Sequence, residues 1–185
     1  MRVLETALPE VLVVEPSAFG DQRGFFLESY QQERYREAGI RENFVQDNLS
    51  RSRKGVLRGL HYQLQRPQGK VVRVVNGEVL DVAVDIRKGS PRFGQSVAVL
   101  LSAENRRQLY VPPGFAHGYC TLSDTADFLY KCTDVYTPAD EYGIAWDDPA
   151  LEIDWPQLDL LLSDKDRQNP LLSESDRLPV YQAGR

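Results

Sequence analysis

The run from residue 71 to residue 86, VVRVVNGEVLDVAVDI, constrains the fold more than any other part of the chain. Two stretches rich in β-branched residues flank Asn76-Gly77. Such residues suit a pleated, half-buried surface, and Asn-Gly readily supplies the positive φ angles of a type I′ turn. The run is therefore expected to form two strands, 71–76 and 78–86, joined as a hairpin. Further strands are expected at 11–14, 25–30, 44–50, 56–64, 96–101, 108–111, 118–121 and 127–133. Turn residues punctuate them, notably Lys88-Gly89-Ser90-Pro91 and Val111-Pro112-Pro113-Gly114. Helix is scarce: residues 31–38 hold helix formers with Gly39 as a stop, and 163–168 form a short one. Many short strands with few short helices imply an all-β sandwich or barrel, and a double-sheet jelly roll is one such closure.

With 185 residues, 42% of them hydrophobic, the chain can bury the core of a single domain spanning 1–185. Residues 170–185 are expected to be a C-terminal extension. A formal net charge of −5 argues against a nucleic-acid binder, which would carry a basic field. The cluster Arg51, Arg53, Lys54, Arg58 reads by composition as a solvated loop. No stretch approaches the roughly 20 apolar residues that span a bilayer. The N-terminal MRVLETALPEVLVVEP, interrupted by Glu5 and Glu10, is no signal peptide. A soluble, cytoplasmic protein with no membrane partner is expected. Cys120 and Cys132 fit a reducing compartment and lack the spacing of a zinc or redox motif.

The only histidines are His61, in Arg58-Gly59-Leu60-His61-Tyr62-Gln63, and His117, in Pro112-Pro113-Gly114-Phe115-Ala116-His117-Gly118. The second pattern resembles a motif of the cupins, whose small jelly roll holds a ligand inside the barrel. The first stands where a cupin carries a metal-binding His-x-His, but Gln63 replaces the second histidine and Lys70 stands in place of the acidic ligand. A catalytic metal needs about three His or carboxylate ligands and an open position, so the site is expected to hold no metal and no cofactor. Organic acid–base chemistry remains, and histidine suits it because its ordinary pKa lies near working pH. By residue type alone, Tyr130 is a core aromatic, Lys70 a rim charge, and a lone histidine more often structural than catalytic. Strand alternation also puts Arg58 and His61 on opposite faces. They can share a cavity only if the strand bends or bulges, or if Arg58 enters from its end.

The sequence closely resembles the dTDP-4-dehydrorhamnose 3,5-epimerase family. The resemblance is carried, in order, by Phe19-Gly20-Asp21-Gln22-Arg23-Gly24-Phe25-Phe26, Phe44-Val45-Gln46-Asp47-Asn48 and Val56-Leu57-Arg58-Gly59-Leu60-His61. It continues through Asp81-Val82-Ala83-Val84-Asp85-Ile86-Arg87, Gly114-Phe115-Ala116-His117-Gly118, Tyr130-Lys131-Cys132-Thr133-Asp134 and Ser163-Asp164-Lys165-Asp166. It implies a cupin-type jelly roll that inverts C3 and C5 of dTDP-4-dehydro-6-deoxy-D-glucose. It implies His61 as base with Asp166 as its carboxylate, Tyr130 as acid, and Lys70 beside the C4 oxygen, with His117 in the same pocket. Arg23, Glu28, Gln46, Asp47, Asn48, Arg58, Glu141 and Lys165 match positions that bind the nucleotide sugar, and Tyr136 matches the tyrosine that stacks on thymine. Arg23 and Glu28 would reach a neighbouring subunit's nucleotide, so a homodimer exchanging an N-terminal arm, about residues 1–50, is implied. One departure is Val135, where the family often has a tyrosine before Tyr136. Related antibiotic-sugar enzymes invert one carbon only, so a mono-epimerase stays open. A cupin-like binding module without catalysis, and a metal-dependent cupin dioxygenase, are the readings from other classes. The first has no need of His61 opposed to Tyr130, and the second lacks its ligands.

Overall fold

In the computed structural model, which describes residues 1–182, the β-branched runs become strands, though not always with the partner that local sequence suggests. The strands are β1 (Arg2–Glu5), β2 (Leu12–Glu15), β3 (Ala18–Asp21), β4 (Gly24–Leu27), β5 (Gln46–Arg53), β6 (Leu57–Gln63) and β7 (Lys70–Asn76). There follow β8 (Glu78–Asp85), β9 (Ser96–Ser102), β10 (Gln108–Val111), β11 (Phe115–Thr121), β12 (Thr125–Cys132) and β13 (Glu141–Gly143). Two short helices, α1 (Gln32–Glu37) and α2 (Asp164–Arg167), fall where expected. The Gln31 side chain caps α1 by accepting from the Arg34 amide, and Ser163 caps α2 by accepting from the Asp166 amide. Strands β1, β3 and β13 were not expected. They are short, and β3 contains Gly20 and Asp21, which weaken a strand signal. The expected 25–30 strand ends at Leu27, and the expected 118–121 strand starts earlier, at Phe115.

All pairing between these strands is antiparallel. One sheet has the order β1-β2-β10-β7-β12-β5 and the other β13-β6-β11-β8-β9, while β3 and β4 form a separate ribbon. Strands β5, β7, β10 and β12 thus lie in one sheet and β6, β8, β9 and β11 in the facing one. That is the wiring of a double-sheet jelly roll, so the expected all-β class holds.

The expected 71–86 hairpin does not form. Strand β7 pairs with β10 and β12, whereas β8 pairs with β9 and β11. Asn76-Gly77 is the corner where the chain passes from one sheet to the other. Only Gly77 has positive φ, +77°, and a Cβ there would meet the Thr125 carbonyl oxygen at 2.1 Å. A type I′ turn needs positive φ at both central residues. Here tertiary pairing overrode a local turn signal, because each strand finds two partners elsewhere.

Between the sheets lie Val72, Val74, Leu109 and Phe128 from one side and Val79, Ala83, Leu101 and Tyr119 from the other. The outer face of the five-stranded sheet is covered as well, by Leu151, Trp155, Leu172 and Leu178 from the C-terminal segment. Burial on both faces explains why β8 reads as a nearly unbroken apolar run. The expected extension is therefore packed as far as its described part goes, and residues 183–185 lie outside the described residues. A third cluster, with Tyr35, Ile40, Val14 and Tyr110, seats α1 on the six-stranded sheet. No helix among the described residues is long and apolar enough to cross a membrane.

Candidate active site

One end of the sandwich is not filled by apolar side chains. Along β5 the inward positions are Gln46, Asn48, Ser50 and Ser52, while the outward Leu49 is 66% exposed. A strand with its polar residues facing the interior must be lining something wet. There the two sheets enclose a cavity of about 580 Å³.

The five-stranded sheet forms one wall, with His61 on β6 opposite His117 on β11. The difficulty over Arg58 resolves here. His117 pairs with His61 but Tyr119 pairs with Arg58, so three steps along β6 match two along β11. The extra residue is a β-bulge, which re-aims the side chains beyond it. Gly59 makes it possible, with φ of +123°, and an added Cβ would lie 2.5 Å from the Gly118 Cα. Arg58 and His61 both line the cavity as a result.

His61 Nε2 lies 2.5 Å from Asp166 Oδ1, which α2 presents from outside the sheet. Its Nδ1 lies 3.9 Å from Glu141 Oε1. Burial alone would raise the Asp166 carboxyl, but the bond to His61, with help from Ser163 and the Gly59 amide, holds it below its ordinary value. His117 Nε2 makes a second, fully buried pair with Asp81, at 2.9 and 3.0 Å from its two oxygens. Burial dominates at Asp81 and raises its carboxyl despite His117.

The facing wall belongs to the six-stranded sheet. Tyr130 of β12 sits opposite Val72 of β7, and Lys70 opposite Cys132, so Tyr130 and Lys70 are diagonal neighbours on one face. Burial pushes the Tyr130 phenol up to about 12, reinforced by Cys132 and Tyr119. Burial likewise pushes the Lys70 amine down, against the pull of Cys132, Glu141 and Asp81. The arrangement sets an imidazole on one wall against a neutral phenol and an amine on the other. That geometry suits proton transfer at opposite faces of a bound carbon.

At the mouth, the Tyr136 amide donates to Gln46 Oε1 at 2.9 Å, and its hydroxyl donates to Glu141 Oε2 at 3.0 Å. Lys165 also pairs with Glu141 Oε2. Of the fourteen residues singled out in the sequence, His61, Lys70, Tyr130, Asp166, Gln46, Asn48, Arg58, His117, Tyr136, Glu141 and Lys165 all line this cavity. Three do not. Asp47 alternates to the outer face, where Lys131 holds it at 2.9 Å. Arg23 sits at the tip of the β3–β4 ribbon with Asp21, and Glu28 pairs with Arg34 at 2.8 Å.

Sequence reasoning missed the support beneath Arg58. Its Nε donates to Ser52 Oγ at 3.1 Å, and the Tyr119 hydroxyl bonds Ser50 at 3.0 Å and Ser52 at 3.3 Å. The inverted alternation of QDNLSRSR was the available signal. Asp81 was missed as the partner of His117, although an aspartate inside an apolar strand asks for one. Gln63, where a cupin has a metal ligand, spends its amide on the Arg66 and Val135 carbonyls and the Thr137 amide. Among the described residues no three His, Cys, Asp or Glu side chains cluster as metal ligands would.

Residues 5–174 match the sequence model of a family described as dTDP-4-dehydrorhamnose 3,5-epimerase. The chain belongs to that family. It is an isomerase, like the dTDP-4-dehydrorhamnose 3,5-epimerases it is similar to. The Pseudomonas aeruginosa epimerase is 56% identical over 181 residues, 97% of this chain and 100% of the relative. Among solved structures, dTDP-6-deoxy-D-glucose-3,5-epimerase from Legionella pneumophila, in complex with dTDP-4-keto-L-rhamnose, is 56% identical. It superposes with a TM-score of 0.96, covering 98% of this chain and 99% of that one. A 3'-monoepimerase from Streptomyces bikiniensis in complex with dTDP-quinovose is 35% identical with a TM-score of 0.91, covering 96% and 93%. The epimerase family thus shares its fold with enzymes named for one centre and for two.

Proposed function

We propose that this protein is a dTDP-4-dehydrorhamnose 3,5-epimerase of dTDP-L-rhamnose biosynthesis, inverting C3 and C5 of dTDP-4-dehydro-6-deoxy-D-glucose. The observation that carries the reading is the opposition of His61 and Tyr130 on facing sheets, with Lys70 beside Tyr130. Both carbons flank the C4 ketone. His61 takes a proton from one of them, and the electron pair left behind delocalises onto the C4 oxygen as an enolate. Lys70 stabilises that oxyanion in a cavity where a fixed cation acts more strongly than in water. Tyr130 then gives its phenolic proton to the opposite face of the carbon, inverting it. Solvent returns a proton to the phenolate and takes one from the imidazolium, so the net reaction is an isomerisation. A phenol pushed up to about 12 stays protonated at neutral pH and serves as a proton source. Asp166 orients His61 and offsets its positive charge once it is protonated.

Binding uses the rest of the cavity. Tyr136 stacks on the thymine, and Arg58 and Lys165 neutralise the diphosphate, with Gln46, Asn48, Glu141 and His117 completing the contacts. Arg23, Glu28 and Asp47 come from outside the cavity of one chain. A homodimer that exchanges the N-terminal arm would bring Arg23 and Glu28 to the neighbouring nucleotide. Two features support it. Phe19, Phe25 and Phe26 on the ribbon are 69%, 58% and 69% exposed, and β5 ends its sheet with Leu49, and Val45 just before the strand, exposed. The reaction needs neither cofactor nor metal. The free buried thiols of Cys120 and Cys132 fit the cytoplasm.

The test is incubation with dTDP-4-dehydro-6-deoxy-D-glucose in deuterated water, followed by NMR at C3 and C5. Deuterium at both carbons with an L-lyxo product supports the reading. Inversion at one carbon selects the second reading, a mono-epimerase, which rests on the 35% identity to the 3'-monoepimerase. No exchange at either carbon, in folded protein that binds dTDP, refutes catalysis.

A further inference from the structure

Glu141 stands at a junction that the proton-transfer scheme leaves unused. It opens β13, whose Gly143 pairs with His61, so Glu141 is the diagonal neighbour of His61 on the same face. One carboxylate oxygen, Oε2, holds both Lys165 and the Tyr136 hydroxyl. The other, Oε1, lies 3.9 Å from His61 Nδ1. Asp166 occupies Nε2, so Nδ1 is the nitrogen left to accept a proton from substrate. The groups that hold Glu141 in place are therefore two that the nucleotide recruits, and the group it faces is the base.

We propose that Glu141 couples nucleotide binding to the basicity of His61. A diphosphate draws Lys165 away, and the carboxylate so released turns its charge on Nδ1. The inference rests on His61 as base and Lys165 as a diphosphate ligand. Glu141 is then a positioning residue that acts through His61. In the empty site Lys165 neutralises it. Once the nucleotide is seated, an unneutralised carboxylate about 4 Å from the accepting nitrogen stabilises the imidazolium that forms. The exposed side chain of Lys165, 53% accessible, can make that exchange.

The other charges facing His61 do not supply this coupling. Asp166 on α2 stays bound to Nε2 throughout. His117, opposite on β11, is tied to Asp81 of β8. Lys70 and Tyr130 belong to the far wall, and Arg58 is fixed through Ser52. Among these described groups, Glu141 alone has its counter-ion in Lys165, a residue proposed to hold the diphosphate.

The experiment follows the imidazole carbon and nitrogen signals of isotopically labelled protein through a pH titration, with and without saturating dTDP. The chain has two histidines, so His61→Asn assigns the signals. In the wild type dTDP raises the His61 midpoint by about one pH unit, the shift that one added charge near 4 Å produces in a partly hydrated site. Glu141→Gln removes most of that rise. Lys165→Met gives the nucleotide-free protein a midpoint close to the wild-type bound one. An unchanged His117 signal shows that the variants fold. A full rise in Glu141→Gln would mean that the diphosphate acts on His61 directly, and would overturn the proposal. So would no rise in wild type whose dTDP site is shown by calorimetry to be full, or no change of the free midpoint in Lys165→Met. Failure of dTDP to bind at all would overturn the functional reading along with it, and calorimetry separates that result from the others.

Discussion

Replacing Asp166 by Asn tests the proposed base most directly. Asp166 is 4% exposed and meets His61 Nε2 at 2.5 Å, in a helix turn whose cap, Ser163, the substitution leaves intact. A hydrogen bond to a charged group contributes about 1.5–3 kcal/mol. If it is needed only when His61 carries the proton, its loss falls on the transition state alone. At about 1.4 kcal/mol per factor of ten, proton abstraction slows roughly 10- to 150-fold. The lower figure is a floor. An amide can turn its NH2 toward Nε2 and so favour the tautomer with hydrogen on Nδ1, which cannot accept a proton. The assay is deuterium wash-in at C3 and C5 from deuterated water, with product formation measured alongside and dTDP affinity measured separately. Exchange and inversion should fall together while dTDP affinity stays within about twofold, an energy of about 0.4 kcal/mol. A loss of exchange below about threefold would refute the assignment, because a buried ion-pair partner of the base cannot be worth so little.

Three further outcomes follow from the same geometry. Tyr130→Phe should reduce inversion far more than wash-in, since abstraction uses the other wall; equal loss of both by NMR would remove Tyr130 as the acid. Gly59→Ala should destabilise the fold by about 2 kcal/mol or more, because its Cβ meets the Gly118 Cα at 2.5 Å at a φ of +123°. That amounts to a Tm lower by at least about 4 °C in a scanning calorimeter. Asp166 has a folded pKa below its ordinary 3.8, so its stabilisation is complete above that value and lost as pH falls through the lower folded one. The Tm gap between wild type and Asp166→Asn should therefore close as pH falls below about 4; a gap that widens there would contradict it.

Most strands of the sandwich were legible as β-branched runs bounded by turn residues, while the short β1, β3 and β13 were not. The wiring was not. Asn76-Gly77 has the chemistry of a hairpin, and no local pattern says that β7 and β8 will each find two other partners in different sheets. The bulge at Gly59 was legible only as a contradiction, with Arg58 and His61 needed in one place and alternation forbidding it. The family resemblance named Asp166 as the carboxylate of His61, but not the second carboxylate, Glu141, 3.9 Å from the other ring nitrogen. Asp166 and Glu141 lie 25 positions apart on different elements, and only the folded chain brings them to one imidazole. Ser52 and Tyr119, under Arg58, carried a signal in the polar inward face of β5 that could have been used.

The jelly roll suits this chemistry for a reason that goes beyond its cavity. Inverting a carbon beside a ketone requires removing a proton from one face and adding one to the other without moving the sugar between two sites. A sandwich supplies two walls whose side chains point toward each other, and antiparallel register fixes where along each wall a residue stands. His61 and Tyr130 come from β6 and β12, strands that never share a hydrogen bond. The separation between the proposed base and acid is thus set by the packing of the two sheets through Phe128, Tyr119 and Val72, and not by a flexible loop. Loosening that packing should cost inversion before it costs proton abstraction. Phe128→Leu, which thins the layer beside Tyr130, should leave wash-in at the base intact while the ratio of inversion to exchange falls. A variant that lost both in equal measure would mean that the two walls do not act as independent supports for the two proton transfers.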